Sequence, residues 1–231
     1  MLYIVGTPIG NLEDITQRAL RVLSGVDFIL AEDTRVIRKL LNHFDISTPT
    51  ISFHEHSKEK AYLKVLDLLE EGKELALVTD AGMPAISDPG SKLVARVVHD
   101  LPEIKIESVP GPSSVTTALS ISGISATKFF FAGFAPNKKG RQTFFKEIPV
   151  VLSNLKSKRK DLVAFIFFES PHRVIKALQS LEEFCPQENV VIAKEITKIH
   201  EEVISGKPSE ILEFFSKHPD KIKGEFVVIV Y

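Results

Sequence analysis

Val78-Thr79-Asp80-Ala81-Gly82-Met83-Pro84-Ala85-Ile86-Ser87-Asp88-Pro89-Gly90 is the stretch on which the reading of this chain turns. Just before it, Glu74-Leu75-Ala76-Leu77-Val78 is a short apolar run opened by Gly72-Lys73, the pattern of a buried strand. Just after it, Lys92-Leu93-Val94-Ala95-Arg96-Val97-Val98 places apolar residues at helical spacing. A plain turn from strand to helix needs only a few residues. This loop is longer and also stiff, because Pro84 and Pro89 fix φ while Gly82 and Gly90 admit conformations that other residues avoid. A long, stiff loop at that place predicts a preformed ligand wall.

The same alternation runs outward in both directions. Leu2 to Val5 reads as a strand that turns off through Gly6-Thr7-Pro8-Ile9-Gly10-Asn11, and Asp14 or Thr16 can cap a helix carrying Ile15, Ala19, Leu20, Val22 and Leu23. Val26 to Leu30 is a second strand, ending in Ala31-Glu32-Asp33-Thr34-Arg35 ahead of a helix with Val36, Ile37, Leu40 and Leu41 on its apolar face. Thr50 to Phe53 is a third, leading into His54-Glu55-His56-Ser57. A helix follows that should bury Ala61, Leu63, Val65, Leu66, Leu68 and Leu69, with Gly72 closing it. Beyond the central loop come a helix to about His99, a strand from Ile104 to Val109, the turn Pro110-Gly111-Pro112-Ser113-Ser114 and a helix from Val115 to Ile121.

Strand alternating with helix five times predicts a parallel, doubly wound sheet flanked by helices. In that architecture ligands bind beyond the carboxyl ends of the strands. Every unusual loop falls at such an end: Thr7–Asn11, Glu32–Arg35, His54–Ser57, Asp80–Gly90 and Pro110–Ser114. Their collective placement predicts a binding cleft.

After Gly123 the rhythm changes. Strands are expected at Phe129–Phe134, Leu162–Phe168, Val190–Ala193 and Glu225–Tyr231, with helices on Val174, Ala177, Leu178 and Leu181 and over Ser209–Phe215, and the segment Glu201–Ser205, of no assigned type, between them. Fewer helices per strand predict a second α/β domain with a mixed sheet. The boundary lies between Ser113 and Ser125 and is drawn as residues 1–114 and 115–231.

The 231 residues, 44% hydrophobic and 26% charged with a net charge of −1, are the composition of a globular protein. One cysteine, Cys185, excludes an internal disulfide and fits a reducing compartment. Met1-Leu2-Tyr3-Ile4-Val5 lacks a basic region and stops at Gly6, too short for a signal peptide or membrane span, so a cytoplasmic protein is expected. The basic residues are uneven: Lys138, Lys139, Arg141, Lys146, Lys156, Lys158, Arg159 and Lys160 are opposed only by Glu147. Such a run is either a solvated face or a surface for phosphates.

No G-x-G-x-x-G or Walker pattern occurs, and the loops carry prolines where a phosphate cradle would need N–H groups. A small ligand with an adenine, a ribose and modest charge suits these walls better than a dinucleotide. No metal site is expected, since His54 and His56 stand two apart and one cysteine makes no thiolate cluster.

Val78–Gly90, together with Gly6-Thr7-Pro8-Ile9-Gly10-Asn11-Leu12, Ala31-Glu32-Asp33-Thr34-Arg35, Pro110-Gly111-Pro112-Ser113, Glu169-Ser170-Pro171-His172-Arg173 and Lys223-Gly224-Glu225-Phe226-Val227, resembles the bacterial small-subunit ribosomal RNA (cytidine-2′-O-)methyltransferases of the tetrapyrrole (corrin/porphyrin) methyltransferase superfamily. The resemblance runs from the first strand to the last. It implies S-adenosylmethionine bound in a cleft between the two domains of a homodimer, and a decoding-centre cytidine in the 30S subunit as acceptor. By its motifs, Pro8, Ala81, Gly82, Met83, Ile86, Ser113, Ser114 and Phe168 contact the cofactor. Met83 stands where the family usually has threonine, and many relatives carry a small extra domain after the last strand.

Methyl transfer from a sulfonium is an in-line displacement, so holding the ribose hydroxyl against the methyl group supplies most of the acceleration. A base to take the hydroxyl proton, or a cation to steady the oxyanion, adds to it. Asp33, Glu169, Lys194 and Glu195 are the candidates at strand ends, each of which also suits a purely structural role. Arg35, His54, His172, Arg173 and Lys198, with Lys138, Lys139 and Arg141 of the basic run, are the candidates for RNA contact. Two other readings remain open: a methyltransferase acting on a small tetrapyrrole, and a module that binds S-adenosylmethionine or RNA without catalysis.

Overall fold

A computed structural model describes residues 1–54, 57–86, 90–155 and 162–231. The chain divides into two compact units, Met1–Ser113 and Ser114–Tyr231.

The first unit holds five strands: β1 (Leu2–Val5), β2 (Phe28–Ala31), β3 (Thr50–Ser52), β4 (Leu75–Val78) and β5 (Ile106–Val109). They lie in the order β3-β2-β4-β1-β5, every neighbour parallel. β4, the run that precedes the central loop, is the middle strand, level with Leu2 of β1 and Phe28 of β2 at Leu75. It is apolar at every position because both of its faces are covered.

Alternate residues go to opposite faces. Val5, Ile29, Ala31, Ala76 and Val78 pack with α1 (Gln17–Gly25) and α2 (Thr34–His43). Leu2, Leu30, Leu75 and Leu77 pack with α3 (Glu59–Glu70) and α4 (Ser91–Asp100). Thr16, not Asp14, caps α1, accepting from the Ala19 N–H at 3.1 Å. Leu63 and Val36, expected on buried faces, are exposed at 46% and 38%; each lies one helical step off the stripe that faces the sheet. The second strand starts two residues later than expected and β5 starts at Ile106.

The connections place a switch point. β1 hands over to α1 on one face of the sheet, whereas its neighbour β4 hands over to α4 on the other. By this topology the carboxyl ends of β1 and β4 are where a ligand is expected, and the loops that leave them are bridged at their start by Thr7 and Gly82.

The second unit begins with α5 (Ser114–Ile121) and contains β6 (Ala126–Phe134), α6 (Arg141–Leu155), β7 (Leu162–Glu169), α7 (Val174–Phe184), β8 (Val190–Lys194), β9 (Glu202–Gly206), α8 (Pro208–Lys217) and β10 (Phe226–Val230). The sheet order is β6-β7-β10-β8-β9, with β6 and β7 parallel and the remaining pairs antiparallel. The mixed sheet is thus present. Helices α6, α7 and α8 cover one face around Phe145, Phe167, Leu178, Phe215 and Phe226, and α5 packs against β10. Helix α6, with Pro149 inside it, was not expected from the sequence. Among the described residues no helix is long and apolar enough to cross a membrane.

Candidate active site

At the switch point the loops after β1, β4 and β5 are tied together. Thr7 and Gly82 exchange backbone hydrogen bonds, Thr7 N–H donating to Gly82 at 3.0 Å and Gly82 N–H to Thr7 at 3.1 Å. The buried Thr7 hydroxyl donates to the Thr79 carbonyl at 3.1 Å. On the other side Gly6 N–H donates to Val109, and Gly6 lies so close to Gly111 that a Cβ on it would meet Gly111 Cα and Met83 Sδ at 2.7 Å. Gly82 has φ +85°, the left-handed conformation that favours glycine. Pro8 and Gly82 are buried, Met83 and Ser113 half-buried, and Ala81 and Ile86 exposed at this edge. Ser87, Asp88 and Pro89 of the central loop lie outside the described residues.

The end of β2 joins the same edge. Thr79 Oγ1 lies 3.4 Å from Glu32 Oε2, and Asp33 N–H donates to Asp80 Oδ1 at 3.2 Å. Asp33 caps α2 by accepting from the Arg35 N–H at 2.8 Å, and the Arg35 guanidinium closes on both of its oxygens, at 2.6 Å from Oδ2. These bonds from Arg35 hold the Asp33 carboxyl down to about 2. The spacing of acid and base in Asp33-Thr34-Arg35 was the only signal in sequence for this pair. Thr7, Thr79, Gly6 and Gly111, which knit the loops, were quoted in motifs but not assigned roles. His54 is exposed after β3; Glu55 and His56 lie outside the described residues.

In the second unit one row of the sheet brings together residues far apart in sequence. Glu169 on β7 is level with Phe226 on β10, which is level with Lys194 on β8, itself level with Glu202 on β9. Phe226 points into the core beneath α7 and α8, so its row-mates are directed to that same face. Phe168, one residue earlier, is half-buried and lies edge-on to Phe131 and Phe134. Ser114 is half-buried at the start of α5.

Glu169 is fully buried between two guanidinium groups, with Arg141 Nη2 2.8 Å from Oε2 and Arg173 Nε 2.9 Å from Oε1, while Ser170 N–H donates to Oε1 at 2.8 Å. Arg141 also donates to the Pro136 carbonyl at 2.9 Å, and Arg173 to Ser170 Oγ at 3.0 Å. Two of the expected RNA contacts thus turn inward and bind the starts of α6 and α7 to the end of β7. Lys138, Lys139 and His172 are exposed beside them. Lys156, Lys158, Arg159 and Lys160 of the basic run lie outside the described residues.

Glu195 has φ +50° and ties the loop after β8 to the start of β10. Its Oε1 accepts from Glu225 N–H at 2.9 Å and from Lys198 at 3.0 Å. Burial works against the charge, but these two donors hold its carboxyl below the usual range. Lys198 reaches on to Glu225 at 3.1 Å. Lys194 is different: its side chain is only 6% exposed, and its nearest ionic partner, Glu202 Oε2, stands 3.8 Å away. Among the described residues no group of three or more His, Cys, Asp or Glu side chains could hold a metal ion.

The chain matches the description "Tetrapyrrole (Corrin/Porphyrin) Methylases" over residues 1–212. It is 45% identical to the ribosomal RNA small subunit methyltransferase I of Thermotoga maritima, over 99% of this chain and 97% of that one. To the protein of the same name from a Hydrogenobaculum species it is 42% identical over 99% and 94%. Among solved structures it resembles uroporphyrin-III C-methyltransferase from Thermus thermophilus, complexed with S-adenyl homocysteine, with a TM-score of 0.62 over 99% of this chain and 96% of that one at 17% identity. By fold and by sequence along nearly its whole length, this chain belongs to the tetrapyrrole (corrin/porphyrin) methylase family.

Proposed function

We propose that this chain transfers a methyl group from S-adenosylmethionine to the ribose 2′-hydroxyl of a cytidine in the decoding centre of small-subunit ribosomal RNA. One observation carries the reading. A chain 45% identical, end to end, to a ribosomal RNA small subunit methyltransferase keeps a tightly knit, proline-rich floor at its switch point. Pro8, Pro84, Pro110 and Pro112 donate no N–H there, and Gly6 against Gly111 closes the floor. That suits an adenosine carrying a sulfonium better than a pyrophosphate. Pro8, Ala81, Gly82, Met83, Ile86, Ser113, Ser114 and Phe168 are the residues that would hold the cofactor, which when bound supplies a methyl group on positively charged sulfur.

The chain's own contribution is positioning. Asp33, Glu169 and Glu195 are each engaged by arginine, lysine or backbone donors, so they set loops rather than take the hydroxyl proton. Lys194 is the least engaged of the four catalytic candidates, and we assign it to the substrate. Arg35, His54, His172, Lys138 and Lys139 remain exposed for RNA backbone contact. The enzyme works in the cell interior, on the 30S subunit, as a homodimer. Phe129, Phe130 and Phe134, exposed on edge strand β6, are the apolar surface that supports self-association.

The test is transfer of labelled methyl from S-adenosylmethionine to unmethylated small subunits, followed by digestion to nucleosides. Label in 2′-O-methylcytidine is expected. Cofactor binding without label in RNA, or label in an added tetrapyrrole instead, overturns the reading.

A further inference from the structure

A cavity of about 460 Å³ opens at one corner of the second unit's sheet, at the carboxyl end of β8 and the start of β9. Lys194, Lys221, Lys223 and His200 line it with donors. Glu195, Glu201, Glu202 and Asp220 line it with acceptors. Three ammonium groups face four carboxylates, so the cavity presents no positive field that would favour a phosphate. Its size is that of a small-molecule site.

Half of the lining is committed. Glu195 serves Glu225 and Lys198, Glu201 accepts from Thr197 N–H at 2.6 Å, and Lys221 pairs with Glu202 while lying over the Phe214 ring. Lys194 is the buried one among the lining residues that make no such bond. Its side chain is almost wholly buried, and its amine, with three donors, makes no side-chain hydrogen bond among the described residues; 3.8 Å to Glu202 is too long for one. The amine reaches the cavity, so the fold sets a donor at this space beside a carboxylate that has a second oxygen to offer.

We propose that this cavity receives an unstacked cytosine of the RNA substrate, Lys194 donating to the ring's N3 and O2 and Glu202 accepting from the N4 amino group. The proposal rests on the RNA-methyltransferase reading above. A neutral base fits a charge-balanced cavity, and a carboxylate accepting from cytosine N4 is an established form of base readout. The same pair rejects uracil, whose N3–H would point at the Lys194 ammonium and whose O4 would face Glu202. Guanine places N1–H against the ammonium in the same way. Turning a base out of its stack is the usual route by which enzymes reach a nucleotide they modify.

The test is saturation-transfer NMR on the full chain with cytidine, uridine, cytidine 5′-monophosphate and inorganic phosphate. Cytidine is expected to bind at least about tenfold more tightly than uridine, and Lys194→Met and Glu202→Gln each to weaken cytidine about tenfold. S-adenosylmethionine affinity should stay unchanged in both variants, which shows that they fold. Binding of inorganic phosphate and the monophosphate without cytidine would make this an anion site and overturn the proposal. Equal binding of cytidine and uridine, or no nucleoside binding at all, would overturn it too. Methyl transfer to small subunits, measured alongside, separates the two failures. Transfer without nucleoside binding sinks this proposal alone, and cytidine binding without transfer sinks the RNA-methyltransferase reading alone.

Discussion

Gly6 and Gly111 meet backbone to backbone: a Cβ on Gly111 would stand 2.9 Å from Gly6 Cα, and one on Gly6 2.7 Å from Gly111 Cα. Gly6 is held in place, because it is tied to Val109 and its neighbour Thr7 to Gly82. Contact this close between loops is what holds the ends of β1 and β5 at a fixed spacing beneath the proposed cofactor.

Gly111→Ala should therefore cost stability of roughly 1–3 kcal/mol, as overpacking usually does, and weaken S-adenosylmethionine binding. Gly25→Ala is the control, since nothing lies within 4 Å of a Cβ there and the residue ends helix α1. It should be neutral or stabilising by up to about 1 kcal/mol. Chemical denaturation and cofactor titration of both variants check the pair. Equal behaviour would mean the loops yield freely.

Glu169 supports a second prediction. With its carboxylate replaced in Glu169→Gln, Arg141 and Arg173 would keep their charges in a site where their side chains are 14% and 23% exposed. Removing one member of a buried ion pair commonly costs about 3–5 kcal/mol. Thermal unfolding should fall accordingly, and methyl transfer should be lost in step with folded protein. A variant as stable as the parent, with full cofactor affinity but no turnover, would instead restore Glu169 as a base.

The first unit was legible because its signals are local. Each strand is a short apolar run, each helix carries an apolar stripe, and the glycine and proline loops mark the carboxyl ends of β1, β4 and β5. The second unit hid more. Helix α6 contains Pro149 and a basic start, both of which argue against a helix when read locally. The row Glu169, Phe226, Lys194, Glu202 is assembled by antiparallel pairing through the last strand, which no spacing in sequence reveals. Arg141 and Arg173 read as surface cations until the fold places a buried carboxylate between them. Pairing across the sheet also decided which catalytic candidates stay available, since Lys194 and Glu195 are adjacent in sequence yet differ in what they bond.

Cys185 gives a prediction about reactivity. It is buried at the end of α7, and burial, reinforced by Glu188, pushes its thiol up to about 12. At pH 8 about one molecule in ten thousand would carry the thiolate that reacts with disulfide reagents. Modification in the native protein should therefore proceed at the rate of unfolding, independent of reagent concentration once reagent is in excess. A fast second-order reaction with folded protein would show that the thiol is reached directly.

Asp33 gives the pH prediction. Its side-chain and backbone bonds with Arg35 lower the carboxyl from 3.8 to about 2. A depressed value means that the pair favours the folded state at pH above the unfolded carboxyl's value. That contribution fades as pH falls from about 4 towards 2. The Arg35 side chain is 86% exposed, so the effect on overall stability is small and screened by salt. The catalytic consequence is larger: a carboxylate protonated only near pH 2 is a weak base at neutral pH. Asp33→Asn should leave the pH dependence of methyl transfer between about pH 6 and 9 unchanged, because Asn still caps α2. A carbon NMR titration of the Asp33 carboxyl should show its midpoint near 2. A midpoint near 4 would undo the pairing with Arg35, and a rate profile that flattens in the variant would return Asp33 to the role of proton acceptor.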